Sequence, residues 1–460
     1  MQRDSEFLAT EKPSRLLVKL ALPAVTAQLV NMLYNIVDRM YIGRLEGIGT
    51  DALAGVGACL PVILLVSAFA ALASMGGAPR ASIFMGRGDR ENAERTMGNC
   101  MTLLLVLAAV LTCALLVFQR PILLAFGALP ETLSHALDYM NIYAIGTIFV
   151  QIALGMNAFI TAQGFSRTSM LTVLIGAVLN IGLDPLFMFT FDMGVKGAAL
   201  ATILSQAVSA AWVLWFLCGR RTNLKLRLKY MAPRLKLLLP CLALGVSPFI
   251  MQATEAAINV CFNRQLALYG GALAVSAMTI LASVMQFAML PLQGLTQGAQ
   301  PITSYNYGAK NPARVRASFR ALLVACMLYA GILWLAVMLF PQGFAMLFSD
   351  DAALIAFTAP ALRVYMAAGV LFGVQLACQQ TFIALGNAKS SLFLAVLRKL
   401  ILLIPLVYIL PAVLPMDQTM AVYLAEPVAD TIAVTTTALL FAHQFPRAMR
   451  ALEADACSKT

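Results

Sequence analysis

The sequence predicts an all-α polytopic membrane protein: twelve transmembrane helices in two parallel six-helix repeats, or lobes, around a central cleft. Three observations carry that expectation. The chain is 61% hydrophobic and only 12% charged over 460 residues, with a mean hydropathy of +0.83, which no soluble globular domain of this size matches. Its apolar residues gather in runs of about 20 or more, the length that crosses a hydrocarbon core of roughly 30 Å, without the alternation of barrel strands. The second half of the chain also weakly repeats the first.

The charged stretch Met1–Lys12 lacks the apolar core and small-residue cleavage site of a secretory signal, so the first run, 17–43, reads as a retained span. The second and third runs cover 52–78 and 96–118. The fourth, fifth and sixth cover 136–161, 169–191 and 196–217. A basic loop follows, with Arg220, Arg221, Lys225, Arg227, Lys229, Arg234 and Lys236. Six further runs lie at 241–266, 274–300, 320–340, 361–385, 396–414 and 419–442. The second and eighth are expected to fade at their inner ends into glycine-rich polar turns. The resulting division is an N-lobe at 1–217, a cytoplasmic linker at 218–239 and a C-lobe at 240–460.

Lysine and arginine set the orientation. Of 32, only Arg39, Arg44, Arg120, Lys196, Arg264 and Arg363 fall on one side of the predicted membrane; the others collect on the side of the termini. Both termini are therefore expected in the cytoplasm, with the chain in the cell membrane. The net charge of +11 follows from this bias and from anionic lipid headgroups. Nucleic acid is not the expected partner, because the basic residues are dispersed over separate inner segments.

The repeat is visible in three places. Gln28, Asn31 and Asn35 fall on Gln252, Glu255 and Asn259. Gly164-Phe165-Ser166-Arg167-Thr168-Ser169 falls on Gly386-Asn387-Ala388-Lys389-Ser390-Ser391. Gly77-Ala78-Pro79 with Gly86-Arg87-Gly88 is echoed by Gly298-Ala299-Gln300-Pro301 with Gly308-Ala309-Lys310. Six spans per half is an even number, so the halves share one orientation, and a substrate pathway is expected between them.

Polar residues inside the spans point to function. Gln28, Asn31, Asn35 and Asp38 form one stripe of the first helix, with Tyr34 at its edge. Asn180 and Asp184 share a face of the fifth. A buried acid costs about 2.5–3.5 kcal/mol on insertion scales, which makes Asp38 and Asp184 functional candidates. At about 1.5 Å per residue, Asp184 lies roughly 22 Å from the inner surface, level with Thr202 on the sixth span. Oxygens from Asp38, Asn180, Asp184 and Thr202 suit a hard cation such as Na⁺, and the same carboxylates could carry H⁺ instead. Gln28, Asn31 and Asn157 also have a plainer reading as hydrogen-bonding glue between helices.

In the second half the matching stripe is Gln252, Glu255, Asn259 and Asn263, a candidate C-lobe site for a cationic substrate or a proton. Glu426 and Asp430 share a face of the twelfth span, and Arg398 or Lys399 could neutralise one of them. Gln375, Gln379 and Gln380 mark the tenth.

Several classes are disfavoured. Nine cysteines form no CxxC pair and read as small buried hydrophobes, and two distant histidines argue against zinc. No phosphate-binding loop, metallohydrolase motif or nucleophile elbow occurs, so neither an ATP-driven pump nor an enzyme is expected. No cofactor or obligate protein partner is expected beyond the coupling ion, small organic substrates and lipid.

These motifs together resemble the multidrug and toxic compound extrusion (MATE) family. The resemblance rests on Ala21-Leu22-Pro23 before Tyr34-Asn35-Ile36-Val37-Asp38, on Asn157-Ala158-Phe159-Ile160-Thr161-Ala162-Gln163-Gly164, and on Asn180-Ile181-Gly182-Leu183-Asp184-Pro185. Gly194-Val195-Lys196-Gly197-Ala198-Ala199 with Thr202, and Gly298-Ala299-Gln300-Pro301-Ile302, extend it through most of the chain. It implies cation-coupled antiport that exports bulky, often cationic organic compounds, driven by Na⁺ or H⁺. It also implies an N-lobe ion site of Asp38, Asn180, Asp184 and Thr202, with Tyr34 and Asn157 in its hydrogen-bond network and a hinge at Pro23 or beyond. The chain departs from members that pair acids on the seventh and tenth spans: Glu255 is matched there only by glutamines. The competing expectation is a lipid-linked oligosaccharide flippase of the same wider superfamily, which should need a more cationic cleft.

Overall fold

The computed structural model describes residues 7–45, 47–126 and 128–457. Arg3 and Lys459, counted in the charge bias, lie outside them. Among the described residues every regular element is helical.

The N-lobe comprises α1 (Pro13–Gly43), α2 (Gly49–Gly86), α3 (Arg90–Ala125), α4 (Leu133–Ala162), α5 (Ser166–Pro185, extended by a π turn at Leu186–Thr190) and α6 (Val195–Cys218). The C-lobe begins with one long apolar stretch, Leu235–Gly308, in which Gly271 at φ 64 makes the reversal that divides it into α7 (235–270) and α8 (272–308). Next come α9 (Pro312–Leu339), then α10, a pair Ala352–Tyr365 and Gly369–Ala384 bent by 46°. The series ends with α11 (Ala388–Val413, with a π turn at Leu397–Leu403) and α12 (Gln418–Cys457). Twelve spans result, as the sequence predicts.

Two expectations need correction. The glycine-rich ends of the second and eighth spans are not turns: both helices continue to Gly86 and Gly308, and their glycines serve close packing. The linker is also shorter than 218–239, because α7 already starts at Leu235. The chain does turn after each extended helix, with Gly88 at φ 77 before the cap Asp89 and Lys310 at φ 56 before the cap Asn311. These two corners occupy corresponding places in the repeat.

The lobes meet near the face that carries the linker and most of the basic residues, here called the basic face. A Cβ on Gly86 would meet the Tyr305 carbonyl oxygen at 2.0 Å, and one on Gly308 would meet the Ile83 oxygen at 2.0 Å, so α2 and α8 cross reciprocally. Gly76 lies against the Cys241 carbonyl of α7, and Gly298 against the backbone of Ala21 in α1. Small residues at such crossings let helix backbones touch without leaving a void. Phe69 and Phe249 complete the seam with ring centroids 4.9 Å apart.

The segments preceding α1 and α7 are exchanged between lobes. Leu8 is fully buried in the C-lobe core, where Asn306 Nδ2 donates to its carbonyl at 2.9 Å and Arg314 Nη2 donates to the same oxygen at 3.1 Å. The linker in turn docks on the N-lobe. Asn99 accepts from Arg234 N and donates to Tyr230 O, Gln163 accepts from Leu224 N, and Glu94 accepts from Lys225 N and pairs with Arg227.

Toward the opposite face, Asn31 and Asn35 on α1 and Glu255 and Asn259 on α7 are exposed. Polar side chains at this depth face a water-filled space and not lipid. The repeat pairs these same positions across the molecule, so they line the two walls of a cleft between the lobes.

Candidate functional site

The N-lobe assembles its polar residues from four helices. Pro185 has no N–H, so the α5 ladder lacks one bond to the preceding turn, and a π turn at Leu186–Thr190 follows just beyond Asp184. Gly197 lets α6 lie against that turn, where an added Cβ would meet the Phe187 carbonyl carbon at 2.7 Å. This close approach brings Thr202 beside the α5 polar face. Asn180 Nδ2 then donates to Asp184 Oδ1 at 3.2 Å and to Thr202 Oγ1 at 3.4 Å. Asp184 is fully buried and Asn180 is 2% exposed.

From α1, Asp38 lies within electrostatic reach of Asp184. The sequence singled out both residues but not their proximity. Arg39 acts on Asp38 electrostatically from the next position, yet forms no ion pair with it among the described residues.

Tyr34 and Asn157 also reach the site. With Asn31, Asn180 and Thr202 they line a cavity of about 40 Å³, several times the roughly 10–15 Å³ that one water needs. Gly176 on α5 also lines it, packed closely against Ser209 on α6, as does Ser205. Asn157 Nδ2 donates to the Ser169 carbonyl at 3.3 Å, which anchors the base of α5 to α4.

Four buried oxygens around this site have no hydrogen-bond partner: Asp38 Oδ1, Asn157 Oδ1, Asn180 Oδ1 and Asp184 Oδ2. Buried acceptors are normally satisfied, and an orphaned cluster marks a place for an absent donor or cation. All-oxygen ligation suits a hard cation or a proton and disfavours soft transition metals.

Tyr139 escaped the sequence reading. Its side chain stands within electrostatic reach of both Asp38 and Thr202. The available signal was Tyr139 with Tyr143, one turn apart on α4, two aromatic hydroxyls sharing a face.

Pro23 lies inside α1, which runs as one assigned helix from Pro13 to Gly43. It removes one backbone bond to the preceding turn and so leaves that turn easier to bend.

The C-lobe is chemically different. Glu255, expected to meet a cationic substrate or a proton and lacking a partner acid on the tenth span, is paired with Lys399 at 2.9 Å. Of the other two acids, Asp430 pairs with Arg398 at 2.6 Å, and Glu426 lies 3.6 Å from the same guanidinium. The glutamines bond elsewhere: Gln375 donates to Gln379, which donates to Met251 Sδ. Gln252 is half-buried, while Asn259 is exposed one turn beyond Glu255.

A family model, MatE, matches the chain twice, over residues 23–186 and 248–409, once in each lobe. The chain is 24% identical over 410 residues to the multidrug export protein MepA of Staphylococcus haemolyticus, covering 89% of this chain and 90% of that one. It is 25% identical over 412 residues to MepA of Staphylococcus aureus, with the same coverage. Among solved structures, a MATE in the bent conformation superposes with a TM-score of 0.91 at 23% identity, covering 98% of this chain and 99% of that one. An outward-facing MATE family transporter of the MOP superfamily gives a TM-score of 0.90 at 23% identity, covering 97% and 98%. The twelve-helix, two-lobe architecture is thus a shared one. With the family model spanning more than half of its length and both of its repeats, the chain belongs to the MatE family of multi-pass membrane transporters.

Proposed function

We propose that this protein exports organic compounds, many of them cationic, by antiport, and that Asp38, Asn180, Asp184 and Thr202 bind the coupling ion. The facing pair Asp38 and Asp184, with unpartnered oxygens on both, carries this reading. Two carboxylates in apolar surroundings repel each other unless a proton or metal cation lies between them. Tyr34 and Asn157 would steady the ligands, and Tyr139 would hold the Thr202 hydroxyl in place.

The multidrug export proteins that the chain resembles support the substrate class. The cleft supports it too, since the exposed stripes Asn31–Asn35 and Glu255–Asn259 present amides and a carboxylate and no lysine or arginine. A flippase for a pyrophosphate-linked lipid would need cationic walls there.

With the basic face in the cytoplasm, as the charge bias indicates, the seam of glycines seals the inner side and the cleft opens outward. Substrate would leave in this state, and an entering ion would take the N-lobe site. Ion binding on α1, α5 and α6 together would then favour the bending of α1 about Pro23 that parts the seam.

Ethidium efflux from reconstituted vesicles, under an imposed Na⁺ gradient and then an imposed pH gradient, tests this reading. Export driven by either gradient is expected and names the ion. Absence of export under both, with the protein folded, would overturn it.

A further inference from the structure

The cluster at the centre of the C-lobe has no role in the ion site. It contains three carboxylates, Glu255, Glu426 and Asp430, and two fixed cations, Arg398 and Lys399. Arg398 and Lys399 are consecutive residues, yet both are buried, at 6% and 7% exposure. The π turn at Leu397–Leu403 permits this, since its wider winding turns adjacent side chains toward one side more than an α-helix would.

The repeat shows what this cluster replaces. The register that places Gly164–Ser169 on Gly386–Ser391 also places Gly176 and Ala177 on Arg398 and Lys399. The α1–α7 register places Asn31 on Glu255. Gly176, Ala177 and Asn31 all line the N-lobe cavity. Where small residues of the N-lobe line a cavity, the C-lobe therefore carries its own tethered cations.

The charges do not balance, because one acid is in excess. Asp430 holds Arg398 at 2.6 Å and Glu255 holds Lys399 at 2.9 Å, which leaves Glu426, 5% exposed, with only the 3.6 Å approach of Arg398. Lys399 adjoins Arg398, which approaches Glu426 at 3.6 Å, and its own charge also acts on Glu426. Glu255 differs from the other two in being about half exposed, at the wall of the cleft.

We propose that Lys399 is a tethered counter-ion, that a monocationic substrate displaces it from Glu255, and that Glu426 receives it. The inference rests on the reading of the chain as an exporter of organic cations and specifies how its C-lobe would recognise one. With Glu255 taken by the substrate, a stranded Lys399 would be a buried, uncompensated charge. Glu426 removes that penalty, because the flexible lysine stem can carry the ammonium from one carboxylate to the other. The cluster is then neutral when a monocation is bound and carries one negative charge when it is not. Neutral compounds gain nothing from the exchange.

The test is the affinity of purified protein in lipid nanodiscs for tetraphenylphosphonium, measured by calorimetry. Glu255→Gln is expected to weaken binding by about tenfold or more, and Lys399→Met to strengthen it by about tenfold, since the competitor is gone. Glu426→Gln is expected to weaken binding about tenfold in the otherwise native protein and scarcely at all in the Lys399→Met background. That dependence on background separates a receiving carboxylate from a merely structural one. Arg398 and Asp430 are untouched throughout, so the buried scaffold of the cluster remains.

Equal weakening by Glu426→Gln in both backgrounds would overturn the proposal. Weaker binding in Lys399→Met, or unchanged binding in Glu255→Gln, would do the same. Ethidium efflux from the same native protein distinguishes the two levels of inference. Gradient-driven efflux alongside a failed cycle would overturn the lysine exchange alone. The expected cycle without gradient-driven efflux would overturn the transport reading alone.

Discussion

Two carboxyl groups facing each other inside a membrane must share a positive charge between them, whether a proton or a metal cation. In the proposed N-lobe site that requirement would fall on Asp38 and Asp184, with Asn180 bridging Asp184 to Thr202. The four residues were legible in the sequence because each is a polar interruption of an apolar run at a matching depth. Tyr139 was not, because a tyrosine near the start of a span reads equally well as an interfacial aromatic. Nor was the Glu255–Lys399 pair, which joins residues 144 positions apart on different helices. The Tyr139→Phe variant removes only the hydroxyl that stands near Thr202 and Asp38. Its half-saturating ion concentration for ethidium efflux is expected to rise several-fold with the maximal rate little changed.

Among the elements, prolines and glycines decide the geometry of the site and the seam. Pro185 and Pro405 each accompany a π turn, and these turns present Asp184 in one lobe and Arg398 with Lys399 in the other. The spans themselves were legible from apolar run length, but the inner ends of α2 and α8 were not. A glycine cluster signals a turn or a helix crossing equally well, and only the partner helix decides between them. Gly308→Val would force a side chain into the Ile83 carbonyl of α2, and overpacking of this kind costs about 1–3 kcal/mol. A lowered melting temperature in detergent, together with loss of the glycine seam at the basic face, is the expected result. Asn99→Ala would leave Arg234 N and Tyr230 O of the linker without their side-chain partner. Each loss is of the order of 1 kcal/mol, so limited proteolysis should cut residues 219–234 faster than in the native protein.

Across the whole molecule, the repeat makes two lobes of one orientation, and the exchange of the segments before α1 and α7 ties each lobe to the other at the basic face. The two-lobe plan was legible in the charge bias and the repeated motifs. The exchange was not, because nothing local in Leu8 or in the linker specifies which lobe it packs on. If the glycine seam closes the cytoplasmic side, Asn31→Cys and Asn259→Cys in a cysteine-free background should react with a membrane-impermeant maleimide added outside the cell. Protection of both sites from outside, with reaction from inside, would reverse the assigned orientation or state.

Coupled export as proposed requires that the carboxyls of Asp38 and Asp184 link the ion gradient to substrate movement. The direct measurement is gradient-driven ethidium efflux from vesicles containing the Asp38→Asn variant beside native protein, at matched insertion. Asn preserves shape and hydrogen bonding and removes only the charge, so coupled efflux should fall by at least about tenfold. Full activity in Asp38→Asn would contradict the assignment of the N-lobe site.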